Sequence, residues 1–185
     1  MKFAKFAFVA LAGASSAATA APVATVLGIP VGGKLSPQPK TCPSTASESV
    51  NVGAVCWVGG PQKYGRWKSG MVLIPGADQR PKWAAHVNFD LRMASDGTIE
   101  NLKAQTHSAA DAPAILQSIS SRFGSPTRTT SRPESASWVR PEVFIEMRCS
   151  SDSCMVEFMS AASYAEWQRD LASRKKVDAA RPISP

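Results

Sequence analysis

The sequence predicts an α+β domain: a mainly antiparallel sheet of about five to seven strands, two helices packed on one face of it, and two local disulfides. The first observation is the alternation of apolar and polar residues over 83–93, which has the period of a half-buried strand. The second is a hairpin whose apolar register also aligns Cys149 with Cys154. The third is the helical spacing of apolar residues before Gly124 and after Ser160.

The first twenty residues have the three parts of a secretory signal peptide. Lys2 and Lys5 form a positive n-region, residues 6–12 form an apolar segment, and residues 18–20 (Ala-Thr-Ala) offer a signal-peptidase site. The apolar segment is too short to cross a bilayer core of about 30 Å. We therefore predict that residues 1–20 are removed and that the chain is exported to the periplasm, with the extracellular space as the alternative.

The remaining chain suits one domain with irregular ends. Residues 21–51 are predicted as an irregular lead-in rich in proline and serine, because the prolines at 30, 37, 39 and 43 rule out a helix. The single α+β domain is predicted over residues 52–176, and residues 177–185 are predicted to be a disordered tail. No second apolar run approaches the length of a membrane span, so no transmembrane segment is predicted in the mature form.

All four cysteines lie after the signal peptide, and an even count in an exported chain indicates disulfides. The local pairing is Cys42–Cys56 and Cys149–Cys154, which closes loops of 15 and six residues. A four-cysteine zinc site is the alternative, but it lacks any C-x-x-C spacing and needs reduced thiols.

The strands are predicted in order from apolar runs bounded by glycine and proline. Segments 52–58 and 70–74 come first, followed by 83–93, a turn at Asp96-Gly97, and a return strand over 99–106. This hairpin register opposes apolar with apolar and polar with polar side chains. The opposed pairs are Leu91–Leu102, Phe89–Ala104, Asp90–Lys103 and Asn88–Gln105.

The second half of the chain is predicted to hold a helix, three strands and a second helix. A helix capped by Ser108 or Asp111 ends at Gly124, and residues 128–135 are predicted to be a polar loop. Strands follow over 137–140, 143–149 and 154–160, and Ser160 caps the last helix. The apolar face of that helix carries Tyr164, Trp167 and Leu171. In the last hairpin Glu146 is placed opposite Glu157.

The composition argues against an enzyme and against a cofactor. Both predicted disulfides consume the thiols, no serine lies in a G-x-S-x-G elbow, and no phosphate loop or dinucleotide fingerprint is present. The net charge of +7 falls to +5 without Lys2 and Lys5. This moderate excess favours an acidic protein or an anionic envelope polymer as partner, with plain solubility as the alternative. Nucleic acid is a poor ligand for an exported protein and is excluded.

The best candidate contact surface is a loop in which aromatics alternate with cations. Such a loop can stack on a ligand or anchor a protein partner, although its aromatics could instead cover a sheet edge. Its candidate residues are Lys63, Tyr64, Arg66, Trp67 and Lys68, with Arg92 and Lys103 on the polar face of the sheet. The remainder of that predicted polar face is His86, Asn88, Asp90, Asn101 and Gln105.

Two histidines suggest the alternative function. His86 and His107 oppose each other in the predicted register, at a separation that could hold zinc or copper if a third ligand came from elsewhere. We therefore expect an exported, non-catalytic binding protein, such as an inhibitor, an immunity module or an envelope accessory that recognises a protein or an anionic ligand. A small envelope hydrolase or metal-dependent enzyme, built on these histidines and nearby acids, is the alternative.

Overall fold

One sheet of twelve strands forms the body of the protein in the computed structural model, which describes residues 22–43, 52–85, 87–131 and 134–180. The strands are β1 (Ala24–Val26), β2 (Ile29–Val31), β3 (Lys40–Thr41), β4 (Cys56–Trp57), β5 (Gln62–Tyr64), β6 (Trp67–Leu73), β7 (Asn88–Ala94), β8 (Ile99–Gln105), β9 (Arg128–Ser131), β10 (Glu134–Val139), β11 (Val143–Cys149) and β12 (Cys154–Ser160). Two α-helices complete the fold, α1 (Ala112–Phe123) and α2 (Ala161–Ala180). The α+β class and the mainly antiparallel sheet are confirmed.

The predicted number of five to seven strands is wrong because several strands are too short and too exposed to leave a pattern. Every residue of β3, β5 and β9 is exposed, so no alternation of apolar and polar residues marks these strands. The lead-in predicted as irregular contributes β1, β2 and β3, and the predicted polar loop after α1 contributes β9. Helix α2 also extends to Ala180, beyond the predicted beginning of the tail.

The main path of the sheet runs in the order β3-β4-β6-β7-β8-β12-β11-β10-β9. Strand β5 pairs with β6, and the β1–β2 hairpin joins β8 through a parallel pair of Val31 with Ile99. Strands β3 and β4 are also parallel, and all other pairs are antiparallel. The long central strands thus carry the sheet, and the short ones extend its edges.

Both hairpin registers predicted from the sequence are confirmed. Strands β7 and β8 pair as expected from Asn88 to Leu91, and a bulge then shifts the register between Arg92 and Met93. Strands β11 and β12 pair over their whole length, with Cys149 opposite Cys154. The four pairs of the first hairpin are Asn88–Gln105, Phe89–Ala104, Asp90–Lys103 and Leu91–Leu102.

Both predicted disulfides are present, Cys42–Cys56 and Cys149–Cys154. The first ties the parallel pair β3–β4 at one edge of the sheet, and the second closes the β11–β12 hairpin. No helix in the described part of the chain is both long and apolar enough to cross a membrane.

One face of the sheet, here called the core face, carries the hydrophobic core. Leu91, Leu102 and Ile145 are fully buried on it, and α1 packs there through Ile115 and Ile119. Burial of each such side chain stabilises the fold by about 1.5–3 kcal/mol.

Helix α2 lies on the opposite face, here called the outer face, which corrects the expectation that both helices cover one side. Tyr164 and Trp167 stack on Phe144, whose side chain points away from those of its core neighbours Val143 and Ile145. The helix begins directly after Ser160, whose hydroxyl accepts a hydrogen bond from the backbone N–H of Ser163. The predicted polar face is therefore partly covered.

Candidate functional site

The predicted loop over residues 63–68 is a tight hairpin formed by β5 and β6. Tyr64 pairs with Trp67 across a two-residue turn, and Gly65 takes a φ of 56° there, a conformation open to glycine. Tyr64 is exposed and Trp67 is half-buried. The hairpin therefore presents its aromatic pair on a rigid β-ribbon rather than on a flexible loop.

The hairpin divides the predicted contact residues between the two faces of the sheet. Tyr64 and Trp67 lie on the outer face, as does Arg92 of β7, while Lys63 and Lys68 pair with each other on the opposite face. The structure thus brings Tyr64, Trp67, Arg92 and Lys103 to one face, with Arg66 at the turn, and separates the two lysines from them.

Trp67 is held between two arginines. The guanidinium carbon of Arg66 lies 5.0 Å from the centre of the indole ring, and that of Arg92 lies 5.5 Å from it. Arg66 also forms an ion pair with Glu166 of α2, which ties the hairpin to the helix. The indole N–H of Trp67 is buried and has no acceptor among the described residues.

A groove of about 570 Å³, here called the hairpin groove, opens on the outer face beside this aromatic pair. Three exposed apolar side chains line it: Val58, Tyr64 and Met71. Asp90, Arg92, Asn101 and Lys103 line the same groove. It combines exposed apolar side chains with charged groups of both signs, an arrangement typical of protein contact surfaces.

Ion pairs hold the charged groups of the outer face in place. Lys103 lies 3.7 Å from Glu157, which also accepts a hydrogen bond from the side chain of Asn101. Glu146 lies opposite Glu157, as predicted, and its charge is also balanced by an ion pair, because it lies 3.1 Å from Arg148. Asn101 is predicted to lie exposed on the polar face of the sheet, but it is only 2% exposed.

A second groove, here called the helix groove, lies between α2 and the strands β9, β10 and β11. It has a volume of about 600 Å³ and is lined by the rings of Phe144, Tyr164 and Trp167. Sequence reasoning missed it because these helix aromatics have the spacing of a core-facing stripe, whereas Trp167 is 42% exposed. The available signal was Phe144, which breaks the alternation of β11 and indicates that both faces of this strand are covered.

The predicted histidine pair lies only partly within the structure. His107 is exposed just after β8, and His86 lies outside the described residues. Within the described ranges, no group of three or more His, Cys, Asp or Glu side chains is close enough to hold a metal ion.

Compared with protein-family models, with curated proteins and with solved structures, the chain gives no significant match.

Proposed function

We propose that this chain is an exported, non-catalytic binding protein that recognises a protein partner through the hairpin groove. The observation that carries the proposal is the clustering of exposed apolar side chains. Of the six large apolar residues exposed in the described part of the chain, Val58, Tyr64 and Met71 line this one groove. Contiguous apolar surface rimmed by polar residues marks interaction sites in soluble proteins.

The charges around the groove favour a protein over a uniformly anionic polymer. Arg92 and Lys103 are accompanied by Asp90 within the groove, and Glu100 and Glu157 lie beside the two cations. An anionic polymer would gain little from so balanced a surface, whereas a protein can match charges of both signs. Tyr64 is the expected anchor, because tyrosine is enriched among residues that dominate binding energy.

Export is proposed on two features of the chain. The first twenty residues have the composition of a cleaved signal peptide, and both disulfides suit an oxidising compartment. We place the mature protein in the periplasm, with secretion as the alternative. Its role is that of an inhibitor, an immunity module or an envelope accessory.

A pull-down with matched variants tests the proposal. Immobilised protein over residues 21–185 is exposed to envelope extract of its source at low and high salt, and bound species are identified by mass spectrometry. Met71→Glu and Tyr64→Ala alter the groove, whereas Val23→Glu places the same charge at an exposed apolar residue outside it. Thermal melting of each variant verifies that the fold is intact.

We expect one partner to be retained at high salt by the wild type and by Val23→Glu, and to be lost from both groove variants. Equal capture by all four proteins would show that the hairpin groove does not bind the partner. Capture only of many acidic species, abolished by salt, would show that the positive charge acts generically and would refute specific recognition.

A further inference from the structure

We infer that the helix groove is a binding site for an acidic oligosaccharide, an activity separate from protein recognition at the hairpin groove. The two grooves share no lining residue. Three features of the helix groove carry the inference: an exposed aromatic platform, a floor of hydroxyl groups and two flanking cations.

The aromatic platform is Trp167, held rigid by two further rings. Phe144 and Tyr164 stack with their centres 4.1 Å apart at an angle of 8°, and Trp167 lies 5.8 Å from Tyr164 at 28°. Trp167 nevertheless remains 42% exposed. An aromatic ring that is fixed yet exposed offers a flat apolar surface against which the C–H face of a sugar ring can stack without an ordering cost.

The register of the strands brings hydroxyl groups together on the floor of the groove. Arg128, Ser137 and Glu146 lie in one row across β9, β10 and β11, and Thr130, Ser135 and Arg148 lie in the next. Hydroxyl groups both donate and accept hydrogen bonds, so they can satisfy the hydroxyls of a sugar in either direction. The hydroxyl oxygens of Thr130 and Ser135 lie 2.8 Å apart and form a joined pair on this floor.

Two cations give the groove its preference for an anionic ligand. Arg128 and Lys175 line it from opposite walls, the strand side and the helix side. The acid that lines it, Glu146, is already paired with Arg148 at 3.1 Å. The unbalanced charge is therefore positive, and arginine in particular suits a carboxylate, whose two oxygens it can bind together.

A sugar fits this floor better than a peptide does. A bound peptide would place alternate side chains toward the floor and would need an apolar pocket for each, but apart from Val139 and Phe144 at one end the floor presents mainly hydroxyls and charges. The volume of about 600 Å³ lies within the range of about 300–1,000 Å³ found for small-ligand sites. The apolar contacts gather at one end of the floor, where Val139 pairs with Phe144 and the aromatic rings of α2 stack on Phe144.

Calorimetry with defined oligosaccharides tests the inference on the full mature chain. The probes are a hexamer of galacturonic acid, a neutral hexamer of glucose, and polyphosphate of similar charge. Trp167→Leu removes the platform and Lys175→Gln removes one cation. Lys176→Gln is the matched control, because this neighbouring lysine is equally exposed on α2 but does not line the groove.

We expect the uronic-acid hexamer to bind, and the neutral hexamer and polyphosphate to bind at least tenfold more weakly. Trp167→Leu should weaken binding of the uronic-acid hexamer by about tenfold or more, the size of one lost stacking contact. Lys175→Gln should weaken it by about threefold, as for a partly exposed charge contact, and Lys176→Gln should leave it unchanged.

Three results would overturn the inference. The first is an absence of binding by the uronic-acid hexamer. The second is binding of polyphosphate as tight as that of the uronic-acid hexamer, together with equal losses of affinity in Lys175→Gln and Lys176→Gln. This result would show that binding reflects the general positive charge of the surface. The third is capture of a polypeptide, rather than a carbohydrate, by a photo-crosslinking residue placed at Ser137, which would assign the groove to a peptide.

Discussion

Two tryptophans in different surroundings should lose very different amounts of stability in the same change, Trp→Phe. Trp138 is fully buried in the core, and its indole N–H donates a 2.9 Å hydrogen bond to the carbonyl of Gly124 at the end of α1. Trp67 lies half-buried on the outer face, and its indole N–H has no acceptor among the described residues. Comparing the two variants therefore separates the free energy of unfolding contributed by a hydrogen-bonded core indole from that contributed by a half-buried indole on the outer face.

The free energy of unfolding lost in Trp138→Phe follows from two parts. Losing the hydrogen bond to the Gly124 carbonyl costs about 1 kcal/mol. The smaller ring leaves roughly 40 Å³ unfilled, which at about 24 cal/mol per Å³ costs about another 1 kcal/mol. The sum of about 2 kcal/mol is a large fraction of the roughly 5–15 kcal/mol typical of a domain. In Trp67→Phe, loss of an unpartnered N–H offsets a weaker cation–π contact, so the change should stay within about 0.5 kcal/mol.

Urea unfolding followed by far-ultraviolet circular dichroism measures both values. With an m-value of about 2 kcal/mol per molar, Trp138→Phe should lower the midpoint by about 1 M, and Trp67→Phe should shift it by less than about 0.3 M. An unchanged m-value is the control for two-state unfolding. Equal shifts in the two variants, or a shift below about 0.3 M for Trp138→Phe, would refute the burial and bonding described for the core.

Two further predictions concern turns. Hydrogen bonds from the backbone and side chain of Thr98, together with Lys34 at 3.3 Å, hold the pKa of Asp96 below its ordinary value. The stabilisation by the Asp96 carboxylate should be complete above about pH 4 and lost as pH falls through the lowered pKa. Thermal melts of Asp96→Asn and wild type should therefore converge in acid and diverge toward neutral pH. Gly28 has a φ of 80° and no atom within 4 Å of the position of a Cβ. Gly28→Ala should therefore lower the free energy of unfolding in urea by about 1 kcal/mol from backbone strain alone, whereas the same change at the exposed Gly53 should lower it by nothing measurable. Equal effects of the two changes would contradict the strain at Gly28.

The sequence was sufficient for the two long hairpins because their side chains constrain each other. In β7 and β8, a slip by one residue would place leucines opposite charges, so the alternation of residues determines the register. In β11 and β12 the disulfide requires the same register as the apolar side chains, and two independent constraints therefore agree. The sheet edges offer no such constraint, since the exposed residues of β3, β5 and β9 bury nothing.

The candidate sites illustrate a second limit of the sequence. The spacing of Tyr164, Trp167 and Leu171 shows that α2 has one apolar side, but spacing carries no information on which face of the sheet receives it. The predicted contact set of the hairpin fails in a similar way, since strand alternation sends Lys63 and Lys68 away from Tyr64. Which faces meet is decided by tertiary packing, and the helix groove exists only because α2 crosses the outer face.

The position of α2 also explains how one face can hold two separate grooves. The ion pair of Arg66 with Glu166 joins the hairpin to the helix, and beneath it lies a cleft of about 240 Å³ that contains Trp67 and Arg92. This cleft shares Arg92 with the hairpin groove, and it shares Phe144, Glu146 and Trp167 with the helix groove, whereas the two grooves have no lining residue in common. The two grooves are therefore separate in the described part of the chain, and the cleft borders both of them.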